Sequence, residues 1–384
     1  MGVSLGSPAR LLVVGHDSSR TGAPLLLLQL CKHFSARGHP LSIVLGRSGP
    51  LVCEFAKCGS VFVWPPEDSS RACLRRLARI VTRRKTSSTR EIACKLLKEA
   101  PVAILNNTIA NGHILKHLSG HGVPIVSMVH ELPSMQRFYA ESTALTIELS
   151  SHIIAASRKV LRSLQDGYSV RDGDISVVYF GVDPSTSDTP RPTVRSGTVV
   201  GCGTLDYRKG IDVFVRVAAR CRDILGARCP AFVWIGGNRA SLTGNLVRED
   251  LRKLGLSDVV SLVGEVDSPA DYFQQAALFV LPSREDPFPL VMIEAAQAGL
   301  PIIAFRQGGG AEEFVDDTMG RLVGYLDEDA MAVTIADVYG DAALLQRMGA
   351  ASREKGLSFS AVGTHQEVST VLGRVCGETW TPRT

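Results

Sequence analysis

The sequence predicts an α/β protein of two Rossmann-like domains that face each other across a cleft. Buried strand patterns alternate with helical patterns from about residue 11 to 184, a polar stretch at 185–197 contains two prolines, and the alternation then starts again. Strands that alternate with helices form parallel sheets covered on both faces. A chain of 384 residues is also too long for one ordinary core and fits two domains of ~150–200 residues each.

The first domain is predicted to span residues 1–184. Its helical patterns include Leu25–Ala36, which is apolar on one face, and the shorter Arg158–Leu164. Short apolar runs mark its strands: Leu11–Val14, Leu41–Leu45, Val61–Val63, Val102–Leu105, Ile125–Val129, Ile153–Ala156 and Ile175–Tyr179.

A linker is predicted at residues 185–197, which have almost nothing to bury. The second domain is predicted to span 198–355. Its strand candidates are Thr198–Cys202, Ala231–Ile235, Val259–Val263, Leu278–Leu281 and Ile302–Phe305.

Composition excludes several classes of protein. Apolar content of 45% with 21% charged residues indicates a packed globular chain and not a disordered one. No run reaches the ~18–20 apolar residues of a membrane span, and Leu11–Val14 reads as a first strand and not as a signal peptide. We therefore expect a cytoplasmic protein, with attachment to the inner face of the membrane as an open alternative.

The nine cysteines are scattered and include no CxxC pair, so reduced and mostly buried thiols are expected. The histidines near them do not make zinc-ligand spacing, and no metal site or other cofactor is predicted.

The most informative segment runs from Ser283 to Pro301. An apolar run feeds a proline-punctuated loop and then a helical pattern, which places Asp286 and Glu294 at the carboxyl edge of a sheet, where open α/β proteins bind ligands. The loop between them should aim backbone N–H groups outward from a helix N-terminus, a site for hydroxyl or phosphate oxygens. Taken alone, each carboxylate has a simpler interpretation as a solvated or helix-favouring side chain.

A second segment, Gly201 to Asp212, follows another predicted strand. Arg208 and Lys209 come just before a helix that starts near Asp212, and a guanidinium beside an ammonium suits a diphosphate. The alternative is a tight turn followed by solvated cations.

These two segments together resemble the family 4 retaining glycosyltransferases, which have the GT-B fold. The resemblance covers about residues 10–355 and implies that Glu294 holds the ribose hydroxyls of a nucleotide-sugar donor. It implies that Asp286 and the backbone of Phe288, Pro289 and Leu290 address the donor sugar, and that Lys209 serves the pyrophosphate. Thr204 stands where the family has an arginine, and Arg208 is expected to compensate.

Further matches extend the resemblance. Gly308–Gly310 with Glu312 and Glu313 resembles the family's Gly-Gly-x-Pro-Glu loop, with Glu312 in place of proline. The resemblance implies that His130 lies beside the donor sugar, so His130, Lys209 and Asp286 are the expected catalytic residues. It also implies that the loop containing Gly22 and Ala23 crosses the donor phosphates. Acceptor-side candidates are His16, Asn107 and Glu131, and the tail 356–384 is expected to pack back on the first domain.

Positive charge is concentrated in the first half of the chain. Residues 1–184 contain 22 Lys and Arg against 13 Asp and Glu, a balance of +9, within a whole-chain charge of +4. Much of this lies in Arg71–Lys98, where arginines surround apolar positions at helical spacing. A solvated helix face, an anionic membrane surface and an anionic or lipid-linked acceptor all remain open. Nucleic acid is not expected, because aromatic residues do not alternate with the charges.

The expected activity is transfer of a sugar from a nucleotide donor to a glycan, glycolipid or small-molecule acceptor. The resemblance implies retention of configuration without a metal, and no Asp-x-Asp occurs in a suitable strand–loop context. Two alternatives stay open: an epimerase of the same fold that acts on sugar nucleotides, and a catalytically silent protein that binds them.

Overall fold

The computed structural model describes residues 9–65, 89–184, 197–377 and 380. These residues fall into two compact units. The first takes its described residues from Met1–Ala156, Val160–Val178 and His365–Thr384, and the second from Ser157–Lys159 and Tyr179–Thr364. Of the predicted linker, only Gly197 is among the described residues.

The first unit contains a parallel sheet of seven strands in the order β3-β2-β1-β4-β5-β6-β7. The sequence predicts all of these strands to within two residues at either end, because each is a short apolar run that is buried on both sides of the sheet. Their bounds are β1 Leu11–Gly15, β2 Leu41–Leu45, β3 Ser60–Val63, β4 Ala103–Asn106, β5 Ile125–Val129, β6 His152–Ala155 and β7 Ile175–Val177.

Helices connect these strands and cover the sheet. Their bounds are α1 Gly22–Ala36, α2 Val52–Ala56, α3 Thr89–Lys98, α4 Gly112–Leu118, α5 Pro133–Phe138, α6 Ala140–Leu149 and α7 Arg158–Tyr168. The predicted start of the first helix was three residues late. Thr21 is its N-cap and accepts from the backbone N–H of Leu25 at 3.1 Å, so Gly22 and Ala23 lie in the first helical turn and not in the preceding loop.

The second unit contains a parallel sheet of six strands in the order β10-β9-β8-β11-β12-β13. The strand bounds are β8 Thr198–Cys202, β9 Ala231–Ile235, β10 Val260–Gly264, β11 Leu278–Leu281, β12 Ile302–Phe305 and β13 Gly320–Val323. The sequence pattern does not predict β13, because this edge strand begins with glycine and arginine and only its last two residues are apolar.

The helices of the second unit begin at capping residues that the sequence carries. Ser241 and Asp327 accept backbone N–H groups from Gly244 and Ala330, and Gly210 precedes its helix in the left-handed conformation at φ 74°. The bounds are α8 Ile211–Leu225, α9 Leu242–Lys253, α10 Ala270–Gln275, α11 Leu290–Gln297, α12 Ala311–Phe314, α13 Glu328–Gly340 and α14 Ala342–Ser358.

The last described helix, α15, spans Ala361–Cys376, and from His365 onward it belongs to the first unit. Trp380 then packs on Phe34 and His39, and the Cys376 Sγ donates to the Val102 carbonyl at 3.7 Å. No helix in the described part of the chain is long and apolar enough to cross a membrane.

In each sheet the order in which successive strands are added reverses at the centre. The reversal lies between β1 and β4 in the first unit and between β8 and β11 in the second. At such a switch point the connections leave to opposite faces, and the carboxyl ends of the strands border an open crevice. The predicted site residues follow the ends of these strands: His16 after β1, Asn107 after β4, Lys209 after β8 and Asp286 after β11.

Candidate functional site

An ion pair between Lys209 and Asp286 lies at the centre of the candidate site in the second unit. Lys209 Nζ donates to Asp286 Oδ2 at 2.5 Å, and the two side chains are only 17% and 5% exposed. Burying both charges is tolerable because each is paired. The sequence predicted both residues as site residues, and the fold brings them into direct contact from segments 77 positions apart.

Arg284 ties together the two loops that carry this pair. Its guanidinium makes two hydrogen bonds of 2.8 Å to the carboxylate of Asp212 and a third, also of 2.8 Å, to the Tyr207 carbonyl. It also stacks over the Tyr207 ring at 3.7 Å. Burial raises the pKa of Asp212, but the hydrogen bonds and charges of Arg284 and Arg216 outweigh burial and lower it overall.

Backbone contacts complete this connection. The Arg284 N–H donates to the Arg208 carbonyl at 2.8 Å, and Arg208 Nη1 donates to the Glu285 carbonyl at 3.0 Å. The Lys209 N–H donates to Asp206 Oδ1 at 2.8 Å, which fixes the turn just before α8. The loop with the two cations and the loop with Asp286 therefore form one connected piece.

A glycine loop after β12 holds Asp286 from the other side. The Asp286 N–H donates to the Gly308 carbonyl at 2.8 Å, and the Gly310 N–H donates to the Asp286 carbonyl at 2.9 Å. Gly309 has a φ of 134°, and a Cβ there would lie 1.7 Å from the Asp286 carbonyl oxygen. Only glycine fits this close approach of two backbones.

Glu294 differs from the other acids of the site because its carboxylate has no hydrogen-bond or ion-pair partner among the described residues. Burial raises its pKa to about 7. Besides burial, the charge of Glu294 raises the pKa of the Cys202 thiol at the end of β8, and the charge of Lys209 lowers it. Glu294 and Lys209 therefore lie near the same strand end. A partly buried carboxylate with a raised pKa and no partner among the described residues is available to a ligand that donates hydrogen bonds to it.

The loop between Asp286 and Glu294 ends in the N-terminus of α11. Pro289 is its N-cap, and Leu290 and Val291 open the helix with N–H groups that precede the first intrahelical hydrogen bonds. Phe288 is 5% exposed, and its ring packs against Tyr179, Phe314 and Phe359. Its side chain is therefore an anchor in the core, so any ligand contact of Phe288 must come from its backbone.

Glu313, which matches the family's glutamate in the glycine loop, is occupied by protein contacts. Its carboxylate accepts the backbone N–H groups of Arg158 and Lys159 at 2.9 Å each, and the hydroxyl of Tyr179 at 2.8 Å. It thereby caps the first turn of α7, where the helix dipole favours a negative charge.

In the first unit, two of the predicted acceptor-side residues, Asn107 and Glu131, form a separate hydrogen-bonded group with His130. Asn107 Nδ2 donates to the Ala23 carbonyl at 2.7 Å, and its Oδ1 faces His130 Nε2 at 2.9 Å. Glu131 accepts the His130 N–H at 2.9 Å and the hydroxyl of Thr108. Because the contact to Ala23 fixes the Asn107 amide, His130 Nε2 must be the protonated nitrogen.

His130 is neutral at physiological pH. Burial, with a smaller effect from His16, lowers its pKa to about 3. Burial also lowers the pKa of His16, although Asp17 opposes this, with Nε2 of His16 3.5 Å from the Asp17 carboxylate. A neutral imidazole can exchange hydrogen bonds with a sugar but carries no full charge.

Two family models together match most of the chain. A family model described as "Glycosyltransferase Family 4" matches residues 20–186, and one described as "Glycosyl transferases group 1" matches residues 196–341. The chain belongs to the family 4 glycosyltransferases. The resemblance inferred from the sequence is thereby confirmed.

Individual relatives of this family 4 chain are distant. A D-inositol 3-phosphate glycosyltransferase of Nocardiopsis dassonvillei is 29% identical over 260 residues, which cover 60% of this chain and 57% of the relative. A lipopolysaccharide core biosynthesis mannosyltransferase of Rhizobium leguminosarum is 26% identical over 244 residues, with 62% and 67% covered. The chain thus spans less than two thirds of the length of the first of these relatives.

Solved structures show the same fold over nearly the whole chain. Anabaena HepE in complex with UDP-glucose has a TM-score of 0.78 at 19% identity, with 95% of this chain and 99% of that chain covered. Sucrose-phosphate synthase of Thermosynechococcus elongatus has a TM-score of 0.76 at 19% identity, with 96% and 99% covered. These likenesses confirm the predicted GT-B fold.

Some predictions for this family 4 chain fall outside what the structure describes. Residues 71–88 of the basic stretch Arg71–Lys98 lie outside the described residues, and only Thr89–Lys98 is seen, as α3. Within the described ranges, no cluster of three or more His, Cys, Asp or Glu side chains could hold a metal ion.

The Arg284–Asp212 pair is not predicted by the sequence, although Arg284 lies in the Ser283–Pro301 segment and Asp212 in the Gly201–Asp212 segment. The sequence does show that each segment contains both a cation and an acid: Arg284 lies near Asp286, and Asp212 lies near Lys209. Nothing in the linear sequence says that these two charges meet, because the pairing depends on β8 and β11 being neighbours in the sheet.

Proposed function

We propose that this chain is a retaining glycosyltransferase that moves a sugar from a nucleoside-diphosphate donor to a hydroxyl of an acceptor. The observation that carries the proposal is Glu294, a partly buried carboxylate that has a raised pKa and no partner among the described residues and that lies beside the Lys209–Asp286 pair. Two vicinal ribose hydroxyls are donors that would satisfy its two oxygens, and charge-assisted hydrogen bonds of this kind are strong.

The cations beside Glu294 suit the leaving group. Lys209 and Arg208 are proposed to bind the diphosphate. The N–H groups at the start of α11 and the carboxylate of Asp286 are proposed to bind hydroxyls of the sugar. In the ligand-free protein Asp286 holds Lys209 in place, so the ammonium is already ordered when the donor arrives.

The chemical step follows from these roles. The bond between the anomeric carbon and the diphosphate oxygen breaks, and the negative charge that develops on the diphosphate is stabilised by Lys209 and Arg208. The acceptor hydroxyl attacks from the same face, and its proton passes to the departing phosphate oxygen. The products are a glycoside of unchanged anomeric configuration and a nucleoside diphosphate.

The first unit is proposed to bind the acceptor. Asn107, Glu131 and His16 offer hydrogen-bonding groups around His130. Because His130 is neutral, we propose that it supports the reacting sugar through a hydrogen bond and not through a formal charge. The proposed acceptor is a glycan, a glycolipid or a small molecule.

A donor panel tests the proposal. The Anabaena structural neighbour was solved with UDP-glucose, so UDP-sugars come first, followed by GDP- and ADP-sugars. Released nucleoside diphosphate is measured for the wild type, for Glu294→Ala, and for Glu354→Ala as a control at an exposed glutamate of the same unit. Release from one donor that only Glu294→Ala abolishes supports the proposal; no release and no donor binding across the panel refutes it.

Product analysis separates the two alternatives. An epimerase converts the donor without an acceptor and returns an isomeric sugar, whereas a silent binding protein binds the donor and releases nothing. Adding EDTA during the same assay tests the proposed independence from metal, and NMR of the product's anomeric proton tests retention.

Peripheral attachment to an anionic membrane is proposed for the basic residues between Arg71 and Lys98. Support comes from their sequence pattern alone. Co-sedimentation with vesicles containing phosphatidylglycerol should weaken when Arg75, Arg76 and Arg79 are changed to Glu, and unchanged co-sedimentation would remove this part of the proposal.

A further inference from the structure

A cavity in the first unit lies between α1, α15 and Trp380, among residues for which the site described above has no role. Its volume is about 360 Å³, within the range of small-molecule sites, which runs from ~300 to ~1,000 Å³. It is lined by His33, Phe34, Arg37, His39, Gln366, Ser369, Thr370, Gly373 and Trp380.

Aromatic packing shapes one wall of this cavity. The rings of His39 and Trp380 stack in parallel with centroids 4.8 Å apart and an angle of 2°, and Phe34 meets Trp380 edge-on at 5.8 Å. His39 is held in turn by its Nδ1, which donates to the Ala9 carbonyl at 2.9 Å. The indole is thereby oriented by contacts on its face and its edge.

The indole N–H of Trp380 lacks a hydrogen-bond acceptor among the described residues, although the side chain is only 5% exposed. A buried N–H without an acceptor costs free energy, and tryptophan N–H groups usually find a partner when buried. An acceptor supplied by a ligand in the adjacent cavity would remove that cost.

Arg37 is the one side chain of the described lining that carries a permanent charge. Arg37 Nη1 donates to His33 Nδ1 at 2.9 Å, which leaves four of the five guanidinium N–H groups for other acceptors. Burial, then His365 and Arg37, lower the pKa of His33 to about 4, so this imidazole is neutral and its proton sits on Nε2. The described lining contains no aspartate or glutamate to neutralise Arg37.

We propose that this cavity is a binding site for a small organic anion, whose carboxylate or phosphate group is held by Arg37 and by the indole N–H of Trp380. A guanidinium binds either group through parallel hydrogen bonds, and the apolar stack of His39 and Trp380 accommodates the body of the molecule. The site is independent of the nucleotide-sugar site, because none of its residues contributes there.

The test is an NMR titration of the full-length protein with ¹⁵N-labelled tryptophan. The chain has three indole N–H signals, and Trp380→Phe identifies that of Trp380. Inorganic phosphate and benzoate are added in separate titrations, which distinguishes a phosphate site from a carboxylate site. We expect one of them to shift the Trp380 signal saturably, with Kd on the order of 1 mM, while the Trp64 and Trp234 signals stay in place.

Two variants keep the outcome decisive. Arg37→Ala should raise Kd at least ~tenfold, the usual effect of losing a hydrogen bond to a charged group. Ser369→Leu should weaken binding by placing a larger side chain in the cavity, and Arg162→Ala, an exposed arginine of the same unit, should change nothing. The proposal is overturned if the Trp380 signal stays still with both probes or shifts without saturating. It is also overturned if the signal shifts in the Arg37→Ala and Ser369→Leu variants as it does in the wild type.

Discussion

Replacing Glu294 with glutamine should stabilise the ligand-free protein and at the same time destroy its donor site. Burial raises the pKa of this carboxyl from 4.5 to about 7. Ionising it above pH 7 therefore costs free energy in the folded state but not in the unfolded chain. At about 1.4 kcal/mol per pH unit, the cost amounts to about 3 kcal/mol. Because part of the side chain reaches the surface, this is an upper value.

The sign of the effect depends on pH. A carboxyl whose pKa is higher in the folded state leaves stability intact below pH 4.5, and that stability is lost as pH rises to about 7. Glutamine does not ionise. The Glu294→Gln variant should therefore match the wild type near pH 4 and exceed it above pH 7, by up to about 3 kcal/mol.

Thermal and urea unfolding at a series of pH values measures this difference, and Glu354→Gln is the control at an exposed position. Donor affinity, measured by calorimetry with the active donor, should fall ~10- to 100-fold in Glu294→Gln, because hydrogen bonds to a charged acceptor are lost. A variant that is no more stable than the wild type at about pH 8 would refute the view that ionising Glu294 costs the folded state free energy. Unchanged donor affinity would refute its role in binding.

Four further outcomes are expected. Lys209→Ala should lower turnover by ~10²–10³-fold, whereas the exposed control Lys253→Ala should not; near-normal turnover would remove Lys209 from the mechanism. Because the pKa of His130 is about 3, its replacement by glutamine should lower kcat without moving the pH profile between pH 5 and 8; a lost limb there would show that His130 titrates. Arg284→Lys, which loses the two-pronged contact with Asp212, should raise the donor KM more than it lowers kcat, and an unaltered KM would assign Arg284 to folding alone. Gly309→Ala should displace Asp286 and lower both Tm and activity, since its Cβ would meet a carbonyl oxygen at 1.7 Å.

Much of the fold could be predicted from local patterns. Parallel strands buried on both faces appear as short apolar runs, which is why β1 to β12 were found within one or two residues of their bounds. The start of α1 and the edge strand β13 were not, for opposite reasons. The helix α1 begins before Pro24, because proline is tolerated in the first turn of a helix, whereas the prediction placed its start after the proline. The strand β13 lacks the apolar run of a central strand.

The sequence by itself determined the fold class, the family and the two segments that carry the candidate donor site, because these depend on residue types at short spacing. Only the tertiary structure decided what the side chains do there. It pairs Lys209 with Asp286 and Arg284 with Asp212, leaves the Glu294 carboxylate without a partner among the described residues, and makes Glu313 a helix cap. The physical reason is that the charge state and the free hydrogen-bonding groups of a side chain depend on burial and on neighbours distant in sequence. Those neighbours are set by the order of strands in the sheet, which no local pattern contains.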